Sequence, residues 1–327
     1  MPAGLASYII RRLALVPVIL VVVSFVAFAL GRYAPGDYVE IQAGDRANPE
    51  TIERIREERG LNDPVYEQYG RYVWNFVQGD FGTSQRYRGV PVEDVIWPRL
   101  WISLQINVAV IILSWAIALP LGTWAALRRG TWLDPTSIGT FLFFASVPVL
   151  VSTPILQWLL AGELSLLPTG GWSDAEYLGV EWGLFSKQAV LPVFILTLPS
   201  VAGVARFMRA QVLEVLDQDY VRTAHAKGLP GDAVVLRHIA RNALLPIVTI
   251  AGFELAALTA GSIFVEQILG IPGLGAFAFE TVNTRDYDSI MALVILGATL
   301  FVLAMLAVDV AYGFIDPRVR LGQGLNQ

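Results

Sequence analysis

Residues 211–246 read QVLEVLDQDYVRTAHAKGLPGDAVVLRHIARNALLP, the longest polar interruption in the second half of the chain, with apolar runs on both sides. Asp219 can cap a short helix through Ala226, Gly228 can take the left-handed conformation that ends it, and Pro230 with Asp232 can open another. The expectation is two short helices joined at a glycine and held between two long apolar segments.

The flanking runs set the class. Across 327 residues, 55% are hydrophobic and only 16% charged, and the mean hydropathy is +0.56. That is too apolar for an ordinary soluble protein of this length. Spans are read at about Leu13–Leu30, Leu100–Leu127, Ser137–Leu160, Ala189–Phe207, Ala243–Val265 and Ser289–Ile315, each near the ~20 residues that cross a hydrocarbon core. The fold class is therefore an all-α polytopic membrane protein with about six transmembrane helices in a lipid bilayer. Gly31-Arg32-Tyr33 is no small-residue cleavage site, so the first apolar run is read as an uncleaved span. Pro120, Pro148, Pro154, Pro192 and Pro199 fall within spans and are read as kinks that bundle packing tolerates.

Four segments follow. Residues 1–31 form the N-terminus and first span, 32–99 a folded extracytoplasmic helical region, 100–315 the transmembrane core with a loop at 208–242, and 316–327 a tail. Within 32–99, Asn48-Pro49 opens a helix that Gly60 closes, and Asp63-Pro64 opens a second. In the second, Val65, Tyr69, Tyr72, Val73 and Phe76 make an apolar stripe, read as docking this region on the spans. Basic residues mark the cytoplasmic side: Arg11, Arg12, Arg128, Arg129, Arg206, Arg209, Arg222, Lys227, Arg237, Arg241, Arg318 and Arg320. The short connections opposite hold only Lys187 and Arg285. Both termini and the 211–246 stretch are thus placed in the cytoplasm.

A net charge of -5 offers no basic patch for nucleic acid. Zero cysteines exclude disulfides, thiol catalysis and Cys-based zinc sites. The pattern G-x-x-x-x-G-K-[ST] needs a Gly-Lys pair, yet the only lysines follow Ser186 and Ala226, so any nucleotide energy must come from another chain. No G-x-S-x-G or H-E-x-x-H pattern occurs, so catalytic and metal residues are expected to be none. His225 and His238 read as ordinary solvated side chains. Intramembrane charge is costly and tends to serve a purpose. Glu254, mid-span, either lines a polar path, as the coupling carboxylate of an ion-driven secondary transporter would, or is a carboxyl hydrogen-bonded at a helix interface. Asp309 reads as a structural ion-pair partner for the basic loops or Arg318. Gly273 and Gly275, in LGIPGLGAF, form either a helix-connecting turn or a flexible gate.

The runs DYVRTAHAKGL, RHIARNALLP, IPGLG and VDVAYGFIDPRVR, with IIRRLALVPV, APGD and GLNDPVYEQYGRYVWNFVQGDFGTS, occur in an order and spacing that covers nearly the whole chain. Together they resemble the inner-membrane permease subunits of ATP-binding-cassette importers, nearest the B-type subunit of the dipeptide, oligopeptide and nickel group. The resemblance implies that Asp219, Tyr220, Arg222, Thr223, Ala224, Ala226, Lys227 and Gly228 form a coupling helix docking in a groove of a cytoplasmic ATPase. Small Ala224 and Ala226 would allow close approach, and Arg222 and Lys227 would make rim contacts. It also implies a homologous second permease, two ATPase subunits carrying ATP and magnesium, an extracytoplasmic substrate-binding protein, and alternating access as the mechanism. Thr223 stands where the general motif has glutamate, and His225 departs from the peptide subgroup's arginine. Tyr38 and Ile271 depart elsewhere.

Overall fold

The computed structural model describes residues 3–33, 48–58, 60–87, 89–173, 176–177, 180–244, 246–247, 250, 254 and 262–315. Among them the chain is mostly helical, and its strands are the two-residue arms of two short hairpins. The APGD motif at 34–37 and the tail from 316 lie outside the described residues.

Helix α1 (Ala3–Tyr33) carries its apolar run around Pro17 without a break. Two short helices follow, α2 (Pro49–Glu58) and α3 (Val65–Val77), at the expected prolines. Of the α3 stripe, Tyr69 and Tyr72 meet α1, Phe76 stacks on Phe81 instead, and Val65 is exposed. Tyr69 sits edge-on to Phe25 and Phe28 at 5.6 Å each, and its hydroxyl meets Ser24 Oγ at 2.9 Å. Gln68 is buried instead of Val65, donating to the carbonyls of Leu61 and Asp63 at 3.0 and 2.7 Å. Burial, first of all, raises the Tyr72 phenol far above its ordinary range.

A hairpin of β1 (Thr83–Ser84) and β2 (Val90–Pro91) leads into α4 (Val92–Leu127). This helix begins eight residues before the expected span start at Leu100. Pro91 presets its entry, and Glu93 with Asp94 suit the positive end of its dipole. Thirty-six residues give about 54 Å at 1.5 Å each, well beyond the ~30 Å of a hydrocarbon core.

The expected third span, Ser137–Leu160, is two helices. These are α5 (Leu133–Ser146) and α6 (Val149–Gln157), the latter continued by a π-helical turn at Trp158–Glu163. They meet at 89°. Pro148 has no N–H to continue the ladder and holds Val147 extended at ψ 113°, so the proline read as a kink is a break. By contrast, Pro98, Pro120, Pro154, Pro192 and Pro199 stay inside helices.

Strands β3 (Glu176–Tyr177) and β4 (Val180–Glu181) form a second hairpin before α7 (Lys187–Leu216). Then come α8 (Asp219–Ala226), α9 (Gly231–Val234) and a π-helical turn at Val235–Ala240. Of the expected span Ala243–Val265, the described positions 243–244, 246–247, 250 and 254 are helical, and the helix after Ser262 is a separate piece. That piece is α10 (Ile263–Leu269), followed by α11 (Leu274–Thr284) at 88° to it. Helix α12 (Tyr287–Ile315) closes the described chain and runs along α1. Among the described residues, by length and composition alone, three helices can cross a membrane, or up to five if each bent pair is one span.

Helices α4 and α7 make the central pairing, with α5 against α7. Ala118 and Ala125 of α4 meet Ala202 and Ala205 of α7, all buried, so small side chains bring the two backbones close. At one end Val92, Val95, Ile96 and Leu100 pack on Leu274, Phe277, Ala292 and Leu296. At the other, Ala126, Met208, Val212 and Val215 pack on Val221, Ala224, Val234 and Ile239. The length of α4 separates a hairpin end from an α8 end.

Candidate functional site

At the α8 end the motif DYVRTAHAKG folds as one helix and a turn. Gln218, not Asp219, occupies the N-cap position, extended at ψ 145° and without a side-chain cap. Asp219 lies in the first turn, where its charge favours the helix dipole. Its 3.4 Å pair with Arg222 joins two exposed side chains and is worth little. Val221 and Ala224, three residues apart, are the buried side of α8 and belong to the core beneath it. Tyr220, Arg222, Thr223, His225, Ala226 and Lys227 are exposed on the other side. The expectation for Ala224 is corrected: it seats α8 on its own bundle, and only Ala226 of the two alanines is open to a partner.

Gly228 ends the helix at φ +75°, where a β-carbon would meet nothing within 4 Å. Its conformation, not crowding, demands glycine. Two ion pairs flank the base of this segment, and the less exposed of them is the firmer tie. The Arg129 guanidinium, after α4, donates to both Asp217 oxygens at 3.1 and 3.3 Å. That contact holds the Asp217 carboxyl below its usual range. Arg209 of α7 binds Asp134 of α5 with both groups mostly buried. In the sequence these arginines register only as topology charges, and the one signal of pairing is an aspartate close after each basic stretch.

Glu254 lies elsewhere. Trp115 Nε1 of α4 donates to its Oε2 at 2.5 Å. Of its two readings, the carboxyl hydrogen-bonded at a helix interface is the arrangement present. The side chain of Asp309 lies outside the described residues.

At the hairpin end Gly273 and Gly275 surround a residue that sequence reasoning passed over. Glu266 of α10 is 2% exposed. Its Oε1 accepts from Ser103 Oγ at 2.8 Å and from the Ser262 N–H at 3.1 Å. Its Oε2 accepts from the Ala276 N–H at 3.0 Å. Ser103 Oγ in turn accepts from the Leu274 N–H at 2.8 Å. A β-carbon on Gly273 would strike the Glu266 carboxylate and come within 2.7 Å of Ser103 Oγ; one on Gly275 would lie 2.8 Å from the Ile263 nitrogen. With φ -94° and ψ 179°, Gly273 is extended backbone that other residues adopt, so close approach, not flexibility, selects it. The glycines form the helix-connecting turn of the two readings. Trp115 and Ser103 are twelve positions apart on α4, which puts Glu254 about 18 Å along the axis from this turn.

A second buried carboxylate, Asp286, pins the β1–β2 hairpin. Its Oδ2 accepts from Ser84 Oγ at 2.6 Å, the Gln85 N–H at 3.1 Å and Ser289 Oγ at 2.9 Å. Beside it Arg86 pairs with Glu280 at 2.6 Å. Tyr87 donates to Glu280 at 3.0 Å and accepts from Arg99 at 2.7 Å. Burial, then the bond to Glu280, holds the Tyr87 phenol above its ordinary value, so it remains a neutral donor.

The short helix α8 thus lies at one end of the apolar bundle and the carboxylate-centred turn at the other. Residues 118–321 match the family described as a binding-protein-dependent transport system inner membrane component. The chain belongs to this family. Residues 5–110 match the N-terminal membrane component of the same systems. Similar curated proteins include the oligopeptide transport system permease AppB of Bacillus subtilis, 37% identical over 96% of this chain and 99% of that one. The dipeptide transport system permease DppB of Escherichia coli K12 is 34% identical over 96% and 98%. The glutathione transport system permease GsiC of an Escherichia coli O1:K1 strain is 36% identical over 96% and 99%. As a B-type permease subunit of ATP-binding-cassette importers, the chain is a multi-pass protein of the cytoplasmic membrane and is not catalytic by itself.

Proposed function

We propose that the chain forms half of the translocation pathway for peptides, dipeptides or oligopeptides, delivered by an extracytoplasmic binding protein. A homologous permease supplies the other half, and two ATPase subunits holding ATP and magnesium drive it. The observation that carries this reading is the two-sided α8: Val221 and Ala224 lock it to the bundle, while Tyr220, Arg222, Thr223, Ala226 and Lys227 are presented outward. A helix so mounted transmits a push, because its base is held by packing and by the Arg129–Asp217 and Arg209–Asp134 pairs. In this arrangement the α8 end and both termini face the cytoplasm, six spans cross the bilayer, and residues 32–99 face outside. The loop at 208–242 joins the transmembrane core of 100–315 to the ATPase, with 316–327 as a cytoplasmic tail. Peptide cargo rests on what the relatives' names say of those proteins.

Nucleotide-driven closure of the ATPases moves α8 with its anchoring core, and the long α4 and α7 carry that motion toward the hairpin end. The ion-coupled alternative would run through Glu254, whose carboxylate accepts a hydrogen bond from Trp115. Gly228→Val tests the reading: a β-branched residue at φ +75° costs about 1–2 kcal/mol or more. The reconstituted complex is expected to lose substrate-stimulated ATP hydrolysis or its ATPase chains. Unchanged stimulated hydrolysis at wild-type subunit stoichiometry contradicts the coupling role.

A further inference from the structure

At the hairpin end a cleft of about 440 Å³ opens between the β1–β2 turn, the start of α4, and the α10–α11 turn. Its charged members are unequally matched. Arg86 is paired with Glu280, which is also held by the Tyr87 hydroxyl. Arg99 has no carboxylate paired with it among the described residues. Its guanidinium stands 5.0 Å from the centre of the Tyr87 ring and 5.1 Å from that of Phe277. It donates to the Val95 carbonyl at 2.9 Å and to the Tyr87 hydroxyl at 2.7 Å. A guanidinium has five N–H donors, so others are left to bind a ligand.

We propose that this cleft is a carboxylate-binding subsite that receives the C-terminal carboxylate of peptide cargo, with Arg99 as its ligand-binding cation. The inference rests on the peptide-permease reading above and extends it to a site. A planar guanidinium braced by two rings is suited to a carboxylate, through paired, charge-assisted hydrogen bonds. The recess size falls within the roughly 300–1,000 Å³ of small-molecule sites, and Pro272 and Phe277 give it apolar walls beside the charge. A peptide end with its last side chain needs that volume; the tip of a docking protein's acidic side chain does not. The floor is the turn that Glu266 holds rigid, so the subsite is preformed. The hydrogen-bonded series Arg99, Tyr87, Glu280 and Arg86 also brings a second cation to the cleft lining.

The test uses the assembled complex in nanodiscs without binding protein, probed by saturation-transfer NMR with N-acetyl-dialanine and its C-terminal amide. The acid is expected to bind about tenfold or more tightly than the amide, the discrimination of one charged hydrogen-bonding group. Arg99→Gln should erase the preference. Ala276→Phe, which fills the cleft and leaves the guanidinium in place, should erase it independently of any packing role of Arg99. Equal binding of acid and amide, no binding of either, or a preference that survives both substitutions overturns the proposal. So does an Arg99→Gln effect confined to capture of the binding protein. Peptide uptake by the complete wild-type system is measured in parallel. Intact uptake without acid preference refutes the subsite alone, whereas acid preference without peptide uptake refutes the cargo reading.

Discussion

Replacing Glu266 with alanine should damage the protein more than its position in a short helix implies. The carboxylate is 2% exposed and is the acceptor for Ser103 Oγ, the Ser262 N–H and the Ala276 N–H. Alanine orphans all three donors in a site closed by Gly273, Gly275 and the α4 wall. At about 1–3 kcal/mol for each unsatisfied buried group, and with some water entering the space, the loss is roughly 3 kcal/mol or more. Glutamine should lose less. Its oxygen can keep the Ser103 and Ser262 bonds, but its amide then faces the Ala276 N–H, donor against donor, so about one bond's worth is lost. Thermal unfolding of the purified complex should rank wild type above Glu266→Gln above Glu266→Ala. The alanine variant should fall by about 5 °C or more, on the scale at which stability converts to melting temperature for large domains. Transport should fall with it, since the turn linking α10 to α11 loses its centre. An alanine variant as stable as wild type would refute the claim that this carboxylate organises the turn.

Other outcomes follow from the same geometry. Ala224→Arg should destabilise the subunit by roughly 2 kcal/mol or more, by forcing a charge into the core under α8. Ala226→Arg, on the exposed side, should leave the isolated subunit's melting unchanged; calorimetry of the two variants distinguishes them. Asp217 titrates below its unfolded value because Arg129 holds it charged. The tie it makes is therefore present above about pH 3.9 and is lost as pH falls through the lowered folded value. Carboxyl NMR should show the Asp217 midpoint move upward in Arg129→Gln.

Much of this was legible in the sequence because the signals are local. Proline and glycine mark α2, α3, the α8 turn and the α10–α11 turn at the residues expected of them, since each acts on its own backbone. Pro148, within the expected span Ser137–Leu160, reads as a kink and is a break, because hydropathy does not distinguish a proline that bends a helix from one that breaks it. That depends on what Val147 does, and here it goes extended. The buried face of α8 was half legible: Val221 signals burial by itself, but Ala224 suits either a core or a contact surface, and only the packing of Val234 and Ile239 beneath it decides. Glu266 escaped because it falls one residue past the end of the expected span, where a carboxylate reads as solvated. Two of its three partners lie on α4 and beyond the glycine turn, 163 positions away for Ser103. Asp286 escaped for the same reason, with Ser84 202 positions distant.

The central claim, that α8 is the joint with the ATPase, has a direct test because the chain contains no cysteine. A single Ala226→Cys in the assembled complex, treated with a short thiol-to-amine cross-linker, should join this chain to an ATPase subunit. Thr284→Cys, at the hairpin end, should not. No ATPase adduct from Ala226→Cys in a complex that still hydrolyses ATP, or an equal adduct from both positions, contradicts the account.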